Sequence, residues 1–264
     1  MNNIRLGICT DPDKAFIVKK AGFDFYEPKA FDMYSVTDEQ IDEWAKMHED
    51  IGIKAEAMNC MLIGDKHQVT GPAANHDVIR EYLLTIVPRC ARMGCKTIVF
   101  GSAWSRNMPD GFCDRDLAYK QICEYLQMAA DICAEYDINI AIEPLSATVT
   151  NIVSYVSEGH YVARLAQREN VRLLVDFYAA SCNYESIYGE LVGYARTMEH
   201  LHFSAVDRKY PRRDDAYSKE YAVFFNGVKD SGFNRRISIE AGHIGDEYED
   251  MLEAMAVFKQ YLQD

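Results

Sequence analysis

Residues 138–144 read INIAIEP, a short, mostly apolar run that ends in the carboxylate of Glu143 and a proline. A run this short, rich in isoleucine, is typical of a strand buried on both faces of a parallel sheet. Similar runs occur at residues 4–9, 23–27, 53–59, 97–100, 171–176, 200–203 and 236–240. The sequence therefore predicts eight strands, each followed by a helix or by a segment long enough to form one.

The segments between these runs have the period of amphipathic helices. In residues 37–51, Thr37 and Gln40 form a capping-box pair, the apolar side chains share one face, and Gly52 supplies a left-handed stop. Further helices are predicted at residues 114–136, 151–166, 185–198 and 247–262.

Eight strand–helix units in 264 residues predict an α/β fold, a (β/α)8 TIM barrel that forms a single domain over residues 1–264. A doubly wound open sheet is the alternative. That fold would carry a glycine-rich phosphate-binding turn after an early strand, and the sequence has none.

The composition limits the class of function. With 41 acidic and 28 basic residues the formal net charge is −13, which disfavours a nucleic-acid partner. No stretch is apolar and long enough for a transmembrane helix, and the first residues lack the pattern of a signal peptide. The eight cysteines are scattered without a CxxC pair, as expected of reduced thiols. We predict a cytoplasmic protein that binds no membrane and acts on a small molecule.

Four consecutive predicted strands end in ionisable side chains that can bind a metal or transfer a proton. These are Glu143, Asp176, His202 and Glu240. The reacting groups of a barrel gather at the C-terminal ends of its strands, so these four are expected to meet. A single carboxylate there is as often the cap of the next helix, but four in succession indicate a site. Of the pair His200 and His202, we expect only His202 to face the barrel axis.

Three crowded carboxylates would repel one another, and burial would raise their pKa values. A divalent cation removes that conflict. Carboxylate oxygens with one imidazole suit manganese, magnesium or cobalt better than a structural zinc, which prefers thiolates. The sequence therefore predicts a divalent-metal site.

Several motifs resemble the xylose-isomerase-like barrel superfamily of sugar-phosphate isomerases and epimerases, and within it the ketose 3-epimerases that act on tagatose and psicose. The resemblance covers essentially the whole chain. It rests on residues 22–27 (GFDFYE), 101–102 (GS), 140–145 (IAIEPL), 176–178 (DFY), 202–208 (HFSAVDR), Pro211 and 239–240 (IE).

The resemblance implies that Glu143, Asp176, His202 and Glu240 ligate a metal ion, manganese first, with magnesium or cobalt as alternatives. It implies that Glu143 and Glu240 are also the catalytic acid/base pair on opposite faces of the substrate. By the same resemblance, Arg208 contacts the substrate near the metal.

Two positions depart from the epimerase pattern. The family histidine three residues after Asp176 is replaced by Ala179, and the family glutamate six residues after Glu143 is replaced by Val149. Both family residues help to hold sugar oxygens, so a substrate with less polar surface at that point is expected.

Two further residues are candidates for substrate binding, and each also has a purely structural interpretation. Trp104, at the mouth of the fourth predicted strand, would stack on a sugar face or an aromatic aglycone, or else pack at the rim. Glu27, at the end of the second predicted strand, would line the pocket or take part in a structural ion pair.

The predicted function is that of a metal-dependent isomerase or epimerase acting on a sugar, keto-sugar or polyol derivative. The alternative is a lyase that cleaves a 3-keto-glycoside or dehydrates a keto-sugar after the same proton abstraction. We expect an oligomer, with a second subunit type if the lyase alternative holds. An endonuclease-IV-like enzyme is disfavoured by the charge and by only seven histidines, and a non-catalytic barrel by the intact set of four residues.

Overall fold

A computed structural model describes residues 4–262 and contains one parallel sheet of seven strands. The strands are β1 (Arg5–Ile8), β2 (Ala57–Met58), β3 (Thr97–Phe100), β4 (Asn139–Ile142), β5 (Val171–Asp176), β6 (Met198–Phe203) and β7 (Arg236–Ile239). Their order is β1-β7-β6-β5-β4-β3-β2, so β1 pairs with the last strand and the sheet curls round. The fold is the predicted TIM barrel.

Two of the predicted strands differ: the third, at residues 53–59, is shortened to β2, and the second, at residues 23–27, does not form a regular strand. It is an irregular segment between the edge strands β1 and β2, and it hydrogen-bonds to both. Glu27 N donates to Ile8 O at 2.8 Å on one side, and Asn59 N donates to Pro28 O at 3.0 Å on the other. Pro28 has no N–H to continue a ladder, which explains why only isolated bridges form there. This segment closes the gap in the barrel.

Ten helices surround the sheet within the described residues. They are α1 (Ala15–Ala21), α2 (Asp38–Ile51), α3 (His76–Arg92), α4 (Ala103–Arg106), α5 (Arg115–Ala134), α6 (Val156–Ala166), α7 (Phe177–Cys182), α8 (Ile187–Gly193), α9 (Ser218–Asp230) and α10 (Glu247–Leu262). Short 3-10 turns occur at Pro12–Lys14, Ala30–Tyr34 and Gly64–His67. None of the helices in this part of the chain combines the length and hydropathy needed to cross a bilayer.

The helix signals in the sequence act as expected at α2. Thr37 accepts a hydrogen bond from Gln40 N at 3.3 Å, and Gly52 ends the helix at φ 66°. The helix predicted over residues 185–198 was too long, because α8 ends at Gly193 and Met198 already belongs to β6. A turn in which Thr197 N donates to Tyr194 O separates the two elements.

The two faces of the strands bury different sets of residues. Alternate side chains such as Ile98 and Phe100 pack against the helices in the main apolar core. The intervening residues Val99, Ala141 and Leu174 form a separate small cluster on the inner face. Polar side chains further along the same inner face lead to the C-terminal end of the barrel.

Candidate metal centre and active site

Four side chains meet at the C-terminal end of the barrel. Glu143 follows β4, Asp176 ends β5, His202 is next to last in β6, and Glu240 follows β7. Each offers a ligand atom, and these atoms all lie within 4.8 Å of one another. The strands pair in parallel with Asp176 directly opposite His202, so the ligand residues lie at the same height along the barrel axis. The structure thus gathers the four residues that were predicted to meet.

His202 lies at the centre of this group. Its Nδ1 is 3.2 Å from Glu143 Oε1 and 3.0 Å from Glu240 Oε2. Arg208 approaches from the other side, with Nη1 2.9 Å from Asp176 Oδ2 and Nη2 2.6 Å from Glu240 Oε2. The Arg208 guanidinium also lies 4.9 Å from the ring centre of Tyr178, a contact that the sequence did not suggest.

The carboxylates do not share one electrostatic environment. Burial and the Glu240 charge raise the pKa of Glu143, and burial also raises the pKa of Asp176 although Arg208 opposes it. Burial opposes ionisation of Glu240 as well, but His202 and Arg208 lower its pKa to about 2. The expectation that all three pKa values would rise is therefore wrong for Glu240, because His202 and Arg208 both lie within 3.0 Å of it.

Glu27 lies directly behind His202 and has no exposed surface. Its Oε1 is 3.0 Å from His202 Nε2, and its Oε2 is 2.8 Å from His200 Nε2. The Ser238 hydroxyl donates to the same Oε2 at 2.5 Å. Burial opposes ionisation here too, but the neighbouring histidines lower the pKa of Glu27. These contacts fit the ion-pair alternative for Glu27, and contact of Glu27 with a substrate stays a prediction.

The expectation for His200 is wrong. Residues two apart in a strand point to the same face, so His200 and His202 both face the barrel interior. Their rings are 5.0 Å apart and contact the same Glu27 carboxylate. Neither His200 nor Ser238 was identified from the sequence as part of this cluster. The period-2 alternation of β6 and β7 was the signal that could have revealed both.

Local backbone structure holds two of the carboxylates. Asp176 caps α7, where its Oδ1 accepts a hydrogen bond from Ala179 N at 2.9 Å. Glu143 lies against Gly101, where a Cβ atom would overlap Glu143 Oε2. Gly101 is therefore needed for this position of Glu143.

A cavity of about 350 Å³ opens beside Glu240. It lies where β1, β2, β7 and the irregular segment end. Its walls are Cys9, Thr10, Asp11, Lys14, Glu27, Pro28, Lys29, Asn59, Glu240, Ala241, His243 and Glu247. The walls are largely polar, so they offer hydrogen-bond donors and acceptors to a molecule with hydroxyl groups.

The family model described as the xylose isomerase-like TIM barrel matches residues 16–261 of this chain. The chain belongs to the xylose isomerase-like TIM barrel family. The resemblance inferred from the sequence motifs is thereby confirmed. A search of curated proteins found no match.

Solved structures share this barrel along their whole length. D-psicose 3-epimerase in the presence of D-fructose is 17% identical, with a TM-score of 0.87 over 99% of this chain and 100% of that one. The E. coli 3-keto-D-glucoside 4-epimerase YcjR is 15% identical, with a TM-score of 0.81 over 97% and 99%. The IolI protein with a bound zinc atom is 17% identical, with a TM-score of 0.76 over 99% and 100%. At these identities the likeness establishes the fold.

In this xylose isomerase-like barrel the remaining predicted positions lie around the mouth. Trp104 is on α4, directly after β3, and its side chain is 81% exposed. Val149 is also exposed, whereas Ala179 is buried in the first turn of α7. Substrate contact by Trp104 and Arg208 stays a prediction.

The donor set of the cluster fits a divalent cation. Three carboxylates and one imidazole nitrogen converge, and Glu143, Asp176 and His202 are buried. Buried carboxylates this close need a compensating positive charge, and Arg208 reaches only two of the three. The Glu27 contact leaves His202 Nδ1 directed at the cluster, as metal-ligating histidines require.

Proposed function

We propose that this chain is a divalent-metal-dependent isomerase or epimerase acting on a sugar, a keto-sugar or a polyol derivative. It removes a proton from a carbon next to a carbonyl group. The observation that carries this proposal is the convergence of two carboxylates on one imidazole nitrogen, with Glu143 and Glu240 at 3.2 and 3.0 Å from His202 Nδ1. Family membership and the epimerases among the structural neighbours support it.

Glu143, Asp176, His202 and Glu240 would hold the metal ion, manganese first, with magnesium or cobalt as alternatives. When bound, a divalent cation supplies Lewis-acid stabilisation of the negative charge that develops at a carbonyl oxygen. Oxygen-rich donor sets of this kind suit such ions.

The two glutamates have different acidities, as an acid/base pair needs. Glu240 is ionised at neutral pH and pairs with Arg208, so it accepts a proton at a carboxylate oxygen. Glu143, whose pKa is raised by burial and by Glu240, is the easier of the two to protonate and returns a proton. Return to the opposite face of the carbon inverts its configuration.

Arg208 keeps the two carboxylates that it contacts, Asp176 and Glu240, in fixed positions. Its side chain is about one-third exposed, so part of the guanidinium faces the mouth. We propose that this exposed part donates hydrogen bonds to the substrate. Burial of Glu143 and Asp176 keeps bulk water from the proton that is transferred.

The test is to incubate the manganese-loaded protein with free ketoses and, separately, with 3-keto-glycosides, and to separate the products by chromatography. Inversion at one carbon supports the epimerase proposal. Release of the aglycone without inversion would instead support the lyase alternative. Turnover of neither substrate class would contradict both.

Variants then test the assigned residues. Glu143→Gln and Glu240→Gln should each lower kcat by about 10²- to 10⁴-fold, the usual contribution of a general acid or base. Glu253→Gln, which alters a glutamate paired with Arg213 on the outer surface, is the control and should leave kcat unchanged. Full activity in both site variants would rule out the assigned pair.

A further inference from the structure

A second cavity, of about 850 Å³, lies at the opposite end of the barrel. Its walls include Asn139 and Val171, which begin β4 and β5, and Thr197 and Arg235, which immediately precede β6 and β7. Glu143 is four residues beyond Asn139, which is roughly 13 Å along an extended strand. The cavity is therefore separate from the candidate metal centre.

Arginine dominates the walls of this cavity. Five arginines line it, and Glu169 is the one acidic residue among its lining residues. The five are Arg164, Arg168, Arg172, Arg196 and Arg235. This concentration of positive charge occurs in a chain with a net charge of −13. A cleft lined by charge of one sign attracts ligands of the opposite sign, so this end of the barrel favours an anion.

The carboxylates nearby do not neutralise this charge. Arg168 pairs with Asp131 at 2.6 Å. Arg172 and Arg235 share one buried carboxylate, Glu199, at 3.0 and 2.6 Å. Arg236 lies 3.9 Å from Glu199 but pairs more closely with Glu56, at 3.0 Å, so Glu199 is shared mainly by Arg172 and Arg235.

Arg164 and Arg196 form no salt bridge with any carboxylate among residues 4–262. Both side chains are exposed, and both also line the adjoining groove beside His160 and Tyr194. The surrounding pKa values agree with an excess of positive charge. Burial and Arg235 lower the pKa of Arg172, and burial and Arg164 lower the pKa of His160.

We propose that this cavity binds a small phosphate-bearing molecule with at least two negative charges, held by Arg164, Arg196 and the Arg172–Arg235 pair. The planar guanidinium group matches phosphate oxygens in a bidentate manner, and this favours arginine for such ligands. The volume suits a small molecule rather than a single ion. The site is independent of the metal centre and of the proposed reaction.

The test is to titrate the full-length protein, as purified, with inorganic pyrophosphate. Isothermal titration calorimetry at low ionic strength measures the binding. We expect saturable binding of one pyrophosphate per chain, and weaker binding of orthophosphate because it bears fewer charges. The double variant R164Q/R196Q should weaken pyrophosphate binding by at least about tenfold, because two charged donors are lost.

The matched control is R80Q/R213Q, which removes the same net charge from exposed arginines outside the cavity. It should change the affinity by less than about twofold. Thermal melting of both variants shows that they are folded, and the single variants R164Q and R196Q replace the double variant if it is not. The proposal fails if the native protein shows no saturable binding, or if R164Q/R196Q binds pyrophosphate as tightly as the control.

Discussion

His202 is held at both ring nitrogens. Nε2 contacts Glu27 Oε1 at 3.0 Å, and Nδ1 lies 3.2 Å from Glu143 Oε1 and 3.0 Å from Glu240 Oε2. Three carboxylates thus contact the ring, and Glu27 is itself held by His200 and Ser238. Glu27 thereby determines which nitrogen faces the cluster.

Glu27→Gln should lower the affinity for Mn²⁺ by about 10- to 100-fold, because a partner that orients a ligating histidine is weakened. The measurement is a calorimetric titration of chelator-treated protein with Mn²⁺. Glu253→Gln is the control and should bind Mn²⁺ like the native protein. Unchanged affinity in Glu27→Gln would contradict the positioning role.

Glu185 is a second residue with an unusual environment. Its Oε1 accepts a hydrogen bond from Val156 N at 2.9 Å, yet burial raises its pKa to about 7 from 4.5. A carboxyl whose pKa is higher in the folded state favours folding below pH 4.5. That contribution is lost as the pH rises through 7.

Glu185→Gln should therefore remove a pH-dependent part of the stability. At pH 8 the variant should be more stable than the native protein by about 1 kcal/mol, a value reduced for the partial exposure of this group. At pH 4 the two proteins should unfold alike. Urea unfolding at both pH values measures this, and an equal difference at the two would contradict it.

At the scale of elements, the turn from β3 into α4 determines the position of Glu143. Gly101 directly follows the strand, and its missing side chain leaves the space that Glu143 Oε2 occupies. The turn from β5 into α7 fixes a second ligand. There the Asp176 carboxylate caps the helix by accepting a hydrogen bond from Ala179 N. The positions of Glu143 and Asp176 therefore depend on the turns that follow β3 and β5.

Gly101→Ala should move the Glu143 carboxylate and lower kcat by on the order of 100-fold, since a misplacement of about 1 Å has that effect. Gly193→Ala is the matched control, because no atom lies within 4 Å of a Cβ at that helical position. Steady-state kinetics of both variants give the comparison. Equal kcat values would show that Glu143 does not need this space.

At the scale of the whole molecule, the barrel carries negative groups at one end and positive groups at the other. The carboxylate cluster lies where the strands end, and the arginine-lined cavity lies where β4–β7 begin. A cation bound only by the folded chain stabilises the whole barrel, because its ligands come from four different strands.

Addition of Mn²⁺ at about 100 times its Kd should stabilise the chelator-treated protein by about 2.7 kcal/mol, or about 5–10 °C in Tm for a chain of this size. Differential scanning calorimetry measures the shift. Asp176→Asn should reduce it, whereas Asp110→Asn, an exposed loop position, should not. Absence of any shift with Mn²⁺, Mg²⁺ or Co²⁺ would contradict a metal site.

The local signals in the sequence predicted much of the fold. The capping residue and the terminal glycine predicted the ends of α2 to within one residue. Apolar periodicity predicted α10 with the same bounds as the structure, Glu247–Leu262. The residues at the strand ends identified the four side chains that converge. These features depend on neighbouring residues, so a single sequence is enough to find them.

The sequence alone thus determined the barrel, its family and the convergence of Glu143, Asp176, His202 and Glu240. Only the tertiary structure decided that Glu27 contacts His200 and Ser238, which are 173 and 211 residues away. It also decided that five arginines surround one cavity. Strand propensity and helix period are local properties, whereas burial and hydrogen bonding between distant segments exist only after the barrel closes.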